Sequence, residues 1–412
     1  MLSNAFGLPA MGLATPIGVG RENVARTLFE GSRAGLIPAD DFIPGRTVHV
    51  GAVTAALPPV PAELSGLDSR NNRLMLLALT QITDAVEDAI SRFGRDRVGV
   101  VMGTSTGGIA DGEAAFMRRH QDGVWPVGFH YRQQESGSLG DFVAGALSLT
   151  GPAYTVATAC SSSAKAFGSA RRLIRAGLVD AVVVGGADTL CRMTVGGFAA
   201  LEAVSSGLCN PFSANRDGIN VGEASAVFLM TRDPAPVQLL GLGESSDAHH
   251  VSAPDPEGAG ALAAMTAALA DAGLSPADIV YVNLHGTGTA LNDSMEGKAV
   301  RALFGPAVPC SSTKAMTGHT LGAAGACEAA FLWLSLHPDY NRHGCLPPHL
   351  WDGAADPTIG ALNLTEPGAH IPDPLMPAAM LSNSFAFGGN NIALVLGNGM
   401  LDNGVPGHGE WR

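Results

Sequence analysis

Short runs of β-branched and aliphatic residues alternate along the chain with longer Ala/Leu-rich segments whose apolar positions recur every three or four residues. Residues 97–104 (RVGVVMGT), 154–159, 180–186 (DAVVVGG) and 226–230 read as buried strands, since they are apolar almost throughout. Residues 72–93 and 163–176 have helical spacing. After Asp233-Pro234-Ala235-Pro236 the pattern starts again, with strands at 237–243, 279–285, 308–311, 380–384 and 392–396 and helices at 260–272 and 322–336. Strand–helix alternation predicts mostly parallel sheets covered by helices. Two series of similar length predict a duplicated α/β architecture, divided into residues 1–236 and 237–412, although no residue-level repeat is visible. Proline clusters at 58–61, 347–348 and 372–377 mark loops, and the Gly-rich tail from Asn398 is expected to be loose.

Composition narrows the class. The chain has 412 residues, too many for one ordinary core. Only 15% are charged against 46% apolar, which fits a chain that hides surface against a partner subunit. A formal net charge of −13 excludes nucleic acid as the main partner, because neutralising phosphates needs a basic face. No apolar run reaches the roughly 18–20 residues of a membrane span, and residues 1–20 lack the basic-then-apolar order of a signal peptide. The six cysteines (Cys160, Cys191, Cys209, Cys310, Cys327, Cys345) are scattered without a CxxC pair. That spacing fits neither a zinc site nor a disulfide framework and predicts a reducing compartment, the cytoplasm.

Four segments carry candidate chemistry. In Tyr154-Thr-Val-Ala-Thr-Ala-Cys160-Ser-Ser-Ser-Ala-Lys165 a strand runs into small residues and a helix begins just after the cysteine. A thiol there faces a helix N-terminus, whose free N–H groups favour thiolate and can hold an oxyanion. The alternative is a buried structural cysteine. Ser162-Ser-Ala-Lys165 also matches S-x-x-K, but the companion S-D-N and K-T-G elements are missing. In Asn283-Leu-His285-Gly-Thr287-Gly-Thr289 a histidine ends an apolar strand, and Ser312-Thr-Lys314-Ala-Met-Thr-Gly-His319 sets a lysine and a second histidine before a Gly/Ala-rich helix. Neither stretch has Walker, dinucleotide or zinc-ligand spacing, so no metal is expected. In Asn383-Ser-Phe-Ala-Phe387-Gly-Gly-Asn390 two glycines follow an aromatic, allowing a tight turn beside a ligand. Together a thiolate could accept an acyl group while two neutral imidazoles donate to an enolate.

TACSSS, HGTGT, KAMTGHTLGAAG and NSFAFGG occur in the order found in β-ketoacyl-acyl-carrier-protein synthases of the elongating type, and the chain resembles that family from residue 12 to 396. The resemblance implies a thiolase-like fold, with duplicated βαβαβαββ halves in a layered αβαβα architecture. It implies an acyltransferase catalysing decarboxylative Claisen condensation of a Cys-bound acyl group with malonyl-acyl-carrier protein. No bound cofactor is implied, the substrates riding on phosphopantetheine. Cys160 looks like the nucleophile, with its own amide and that of Phe387 as oxyanion hole. His285 and His319 resemble the decarboxylating pair, Lys314 the supporting lysine and Glu328 its partner. Phe387 is similar to the family's gate, and Thr287 and Thr289 to the pantetheine-binding threonines. Acyl carrier protein is the implied partner. Arg70 and Arg73 match a basic docking pair, with Arg118 and Arg119 as further candidates. A homodimer is implied, or a heterodimer with a sister synthase-like subunit.

Three departures stand out: Ala386 and Asn390 where the family commonly has Gly and Thr, three serines after the cysteine, and no Val-rich opening strand. They leave fatty acid and type II polyketide or polyene pathways both open. A thiolase or initiating synthase acting on coenzyme A is disfavoured by His319. A non-catalytic chain-length-factor subunit is disfavoured by the retained Cys160 and histidines.

Overall fold

Strands form where both faces of the chain are apolar. Val98–Gly103, Ala181–Asp188, Ala224–Thr231 and Ala379–Ala386 are buried at every position, as strands covered by helices on both sides must be. The computed structural model describes residues 5–399 apart from 372 and 375.

In the N-terminal part, Ala153–Val156 runs parallel to Val98–Gly103, which runs parallel to Ala181–Asp188; Ala224–Thr231 and Phe6–Thr15 then follow antiparallel. In the C-terminal part, Pro309–Ser311, Ile279–Asn283, Ala379–Ala386, Asn390–Asn398 and Val237–Ser246 repeat that order of parallel, parallel, antiparallel and antiparallel pairings. The duplication that residue identities do not reveal is thus explicit in the wiring. The two half-sheets meet where Phe6 pairs with Leu239 and Gly7 with Gln238, making one 12-stranded sheet.

Two helices lie between the half-sheets. Ser162–Arg175 packs on Val98–Gly103 and Ala181–Asp188 and reaches Asn390–Asn398; Ala324–Leu336 packs on Ala379–Ala386 and reaches Ala224–Thr231. All residues of Ala324–Leu336 are buried. The helices cross closely at Gly325, where a Cβ would sit 2.6 Å from Ala164 Cβ and 2.8 Å from the Ala164 nitrogen. Arg70–Leu79 and Ser138–Ala146 cover the outer face of the first half-sheet, and Ala259–Ala272 that of the second. The result is the layered αβαβα, thiolase-like arrangement.

Several sequence expectations change in detail. The single helix expected at 72–93 is two, Arg70–Leu79 and Thr83–Phe93. Between them the Gln81 amide accepts from the Leu13 N–H (3.1 Å) and donates to its carbonyl (2.9 Å), fastening the break to a central strand. The strand expected at 154–159 stops at Val156, and that at 279–285 stops at Asn283, freeing both reactive segments as loops. Phe6–Thr15, fully buried but for Pro9, and the hairpin Leu36–Ile43/Arg46–Gly51 were not read from the sequence. The final strand runs to Asn398, so the loose tail expected from that residue falls on 400–412, outside the described residues; of the loop expected at 372–377, residues 372 and 375 also lie outside them.

Candidate active site

Cys160 sits in a tight turn between Ala153–Val156 and Ser162–Arg175. The three serines after it build that turn. Ser161 Oγ donates to the Thr158 carbonyl (2.8 Å), Ser162 Oγ to that of Ala159 (2.5 Å), and Ser163 Oγ accepts from the Ala326 N–H (2.9 Å) of the other central helix. Ala159 is forced to φ 51°, a conformation that strains a residue with a Cβ. The helix amides expected to face the sulfur are partly spent on this turn, since the N–H groups of Ser161 and Ser162 donate to Thr158 and Ala159. The amides that do point at Sγ are those of Phe387 and of Cys160 itself.

Burial pushes the Cys160 thiol up to about 12, Lys314 opposing and Asp188 reinforcing the shift. That shift favours the protonated thiol, against the thiolate-favouring effect expected of a helix N-terminus. His319 Nε2 lies 3.0 Å from the sulfur. The His319 backbone is held like a strand residue, donating to the Asn220 carbonyl (2.7 Å) and accepting from Gly222 N–H (2.8 Å). The His285 ring stands 5.3 Å from the His319 ring at 86°. Burial, with Lys314 beside them, holds both imidazoles well below their usual pKa, so both are neutral near pH 7. Neither Nδ1 has a partner among the described residues. Lys314 forms a buried ion pair with Glu328, whose carboxyl burial pushes up to about 7 against the pull of that lysine.

Cys160, His285, His319, Thr287, Thr289 and Phe387 line one cavity of about 340 Å³. Thr287 and Thr289 hydroxyls lie 3.0 Å apart on its wall. The Phe387 ring is 38% exposed, 5.8 Å from Phe198, and Gly388 and Gly389 follow at φ 82° and 74°, a backbone that glycine adopts without strain. Lys314 and Glu328 stand behind the histidines.

The candidate docking arginines have carboxylate partners within the chain. Arg70 makes a two-pronged ion pair with the buried Glu223 (2.5 and 3.0 Å), and Arg73 one with Asp68 (2.6 Å twice). Both side chains remain partly exposed, at 40% and 43%. Arg118 and Arg119 are exposed on Ile109–Asp122; Arg119 donates to the Gly123 carbonyl and lies 5.7 Å from the Trp125 ring.

Residues that sequence reasoning missed hold the site in place. Glu296 accepts from the N–H groups of His285 and Gly286 (2.7 Å each) and from Asn383 (3.0 Å), and burial pushes it up to about 7. Asp293 accepts from Phe212 N–H (2.8 Å) and Gly288 N–H (3.2 Å). Their signal was two acids three apart on the helix Ala290–Phe304 that follows the His285 loop directly. Asp188 accepts from the hydroxyls of Thr104 (2.6 Å), Ser105 (2.7 Å) and Thr106 (2.7 Å).

A thiol, two amides and two neutral imidazoles around one cavity, within two duplicated and layered half-sheets, define the class: the chain belongs to the β-ketoacyl synthase family, whose members are acyltransferases. The models of the N-terminal and C-terminal domains of β-ketoacyl synthase match residues 9–235 and 237–350. Among curated relatives, 3-oxoacyl-(acyl-carrier-protein) synthase 2 of Staphylococcus aureus (strain COL) is 32% identical over 363 residues, covering 79% of this chain and 82% of its own. The enzyme of that name from Rhizobium meliloti (strain 1021) is 34% identical over 350 residues, 75% of each. Among solved structures, a complex of the ketosynthase ApeO with its chain length factor ApeC from Xenorhabdus doucetiae contains a chain 48% identical, with a TM-score of 0.90 over 96% of this chain and 98% of that one. Among the described residues no helix is long and apolar enough to cross a membrane.

Proposed function

We propose that this chain is a catalytically active β-ketoacyl synthase that loads an acyl group onto Cys160 and extends it with a malonyl unit carried by acyl carrier protein. The observation that carries this reading is the 3.0 Å approach of His319 Nε2 to Cys160 Sγ, with the second imidazole standing across it.

In the first step Cys160 Sγ attacks the acyl thioester carbonyl. The N–H groups of Cys160 and Phe387 receive the oxyanion, the bond to pantetheine sulfur breaks, and the thiol proton leaves with that sulfur. In the second step malonyl thioester enters past Thr287 and Thr289 and loses carbon dioxide. The electrons of the broken C–C bond form an enolate, whose oxygen takes hydrogen bonds from His285 and His319. Neutral imidazoles suit this, since they donate without surrendering a proton. The enolate carbon then attacks the Cys160 thioester; a C–C bond forms, the C–S bond breaks, and Sγ takes up a proton. Burial, with Lys314 beside them, keeps both rings unprotonated, and Glu328 pairs with that lysine.

The presence of Cys160, His285 and His319 around one cavity supports this reading over a chain-length-factor role. The partner in this reading is a sister synthase-like subunit, supported by the 48% identity to a chain of the ApeO–ApeC complex. Phe116, Met117, Val124, Trp125, Val127 and Tyr131 form an exposed apolar face on and after Ile109–Asp122, as a subunit contact requires.

The test is intact-mass analysis after incubation with acyl-loaded carrier protein. An acyl adduct is expected on the wild type and none on Cys160→Ala. Cys160→Gln is expected to stop condensation and retain carbon dioxide release from malonyl-carrier protein. A folded wild type that forms no adduct with its own carrier overturns the catalytic reading.

A further inference from the structure

Behind the two catalytic histidines lies a third, absent from the chemistry just described. His349 is 3% exposed and sits in the Pro347-Pro348-His349-Leu350 stretch between helix Ala324–Leu336 and strand Asn363–Leu364. Its ring is bonded at both nitrogens: Nδ1 accepts from the Ser312 N–H (3.1 Å), and Nε2 donates to the Pro211 carbonyl (2.9 Å). That pattern requires the neutral ring with its proton on Nε2. Burial keeps it so, lowering the pKa to about 4.

Both partners lead to the active site. Ser312 Oγ donates to the Gly286 carbonyl (2.6 Å), directly after His285, and accepts from the Lys314 N–H (3.3 Å). Pro211 precedes Phe212, whose ring packs on that of His349 (6.1 Å). Phe212 stands at φ 62° and fills the space where a Cβ on Gly286 would meet it at 2.9 Å. One imidazole thus braces the His285 loop twice, through the Ser312 hydroxyl and through the Phe212 ring, and braces the Lys314 turn once. None of these links touches the Cys160 turn.

We infer that His349 is a positioning residue for the decarboxylation half of the reaction: it holds Ser312 and Phe212 so that the His285 loop and the Lys314 turn keep their mutual geometry, while acylation of Cys160 proceeds without it. The inference rests on the proposed function and adds to it a division of labour among buried side chains. A buried side chain that only filled space would need no bond at either nitrogen, and Leu or Phe would serve.

The experiment compares two readouts on the full-length protein. Acylation is followed as the mass increase from octanoyl-N-acetylcysteamine, and decarboxylation as carbon dioxide release from malonyl-N-acetylcysteamine. In His349→Leu, acylation is expected within about twofold of wild type, and carbon dioxide release is expected to fall about tenfold to a hundredfold, the scale of a sub-ångström to 1 Å misplacement. His349→Asn, whose amide can accept and donate, is expected to recover part of the loss. Equal falls in both readouts, or carbon dioxide release within twofold of wild type in His349→Leu, overturn the inference. Should His349→Leu not fold, Ser312→Ala removes the link to Gly286 and leaves the imidazole in place. The same split is expected there, and unchanged carbon dioxide release overturns the inference equally. A wild type inactive in both readouts sinks the proposed function as well, so the two failures are distinguishable.

Discussion

In the N-terminal half, the junction between Ala153–Val156 and Ser162–Arg175 is a tight turn with one reactive side chain, Cys160. At the matching junction of the C-terminal half, between Pro309–Ser311 and Ala324–Leu336, a longer segment carries Lys314 and His319. The neighbouring junctions also correspond. After Val98–Gly103 comes the Thr104-Ser105-Thr106 turn, pinned by the Asp188 carboxylate from an adjacent strand; after Ile279–Asn283 comes the His285 loop, pinned by Glu296 and Asp293 from its own following helix. Equivalent places in one duplicated scaffold hold the proposed nucleophile, with a strained Ala159 before it, and the proposed pair of donors, with buried carboxylates behind them. A nucleophile needs one atom fixed against an oxyanion site, whereas enolate stabilisation needs two rings fixed relative to each other.

The sharpest way to break the comparison is His319→Ala. Removing one oxyanion donor is expected to slow carbon dioxide release from malonyl thioester on the order of a hundredfold or more, while the acyl adduct still forms on Cys160. A folded variant that loses the adduct as well would show that the halves are not divided in labour. Next comes the contact between the halves. Gly325→Leu drives side-chain atoms into the Ala164 backbone, and a loss of about 1–3 kcal/mol is expected, read by denaturant unfolding. An unchanged midpoint would mean that the central helices can slide apart without cost.

Smaller effects separate the two pinned loops. Glu296→Gln leaves an amide N–H facing the backbone N–H of His285 or Gly286, for about 1–3 kcal/mol, and is expected to slow decarboxylation more than acylation; Asp188→Asn is expected to do the reverse. Identical profiles would erase the distinction. The smallest effect is on pH dependence. The folded pKa values of His285, His319 and His349 are depressed, so their stability is complete above about 6.5 and is lost as pH falls below it. Glu296 and Glu328 are raised from 4.5 to about 7, so theirs is complete below 4.5 and lost as pH rises through 7. The trends oppose between pH 4.5 and 6.5, three rising contributions against two falling, and a shallow net rise of the unfolding free energy with pH is expected there for wild type. Glu296→Gln removes one falling contribution, so its stability should rise more steeply with pH across that window.

The candidate side chains drew notice in the sequence because each stands at the end of an apolar run, in Gly- and Thr-rich surroundings that mark a loop. The fold class was legible from strand–helix alternation and from family motifs. What escaped has physical reasons. Phe6–Thr15 has Pro9 and two glycines in it, which mute a strand pattern, and its antiparallel pairing with Ala224–Thr231 lies 200 and more residues away in sequence. The helix break at Gln81 depends on a bond to Leu13 that no local pattern signals. Glu296, Asp293, Asp188 and His349 look like surface residues in the sequence, because polarity says nothing about burial when every polar atom finds a partner. The candidate docking arginines matched by spacing, and spacing did not show the pairing of Arg70 with Glu223 and of Arg73 with Asp68.

The helix Ala324–Leu336 offers no residue to solvent, and its burial is completed by strands from both sides of the Asp233–Pro236 hinge in the primary chain. Cleaving the chain there would not liberate two autonomous proteins. Each fragment would present a naked apolar rod or trough that only the other can clothe, so the pieces should aggregate when expressed singly and reconstitute when made together.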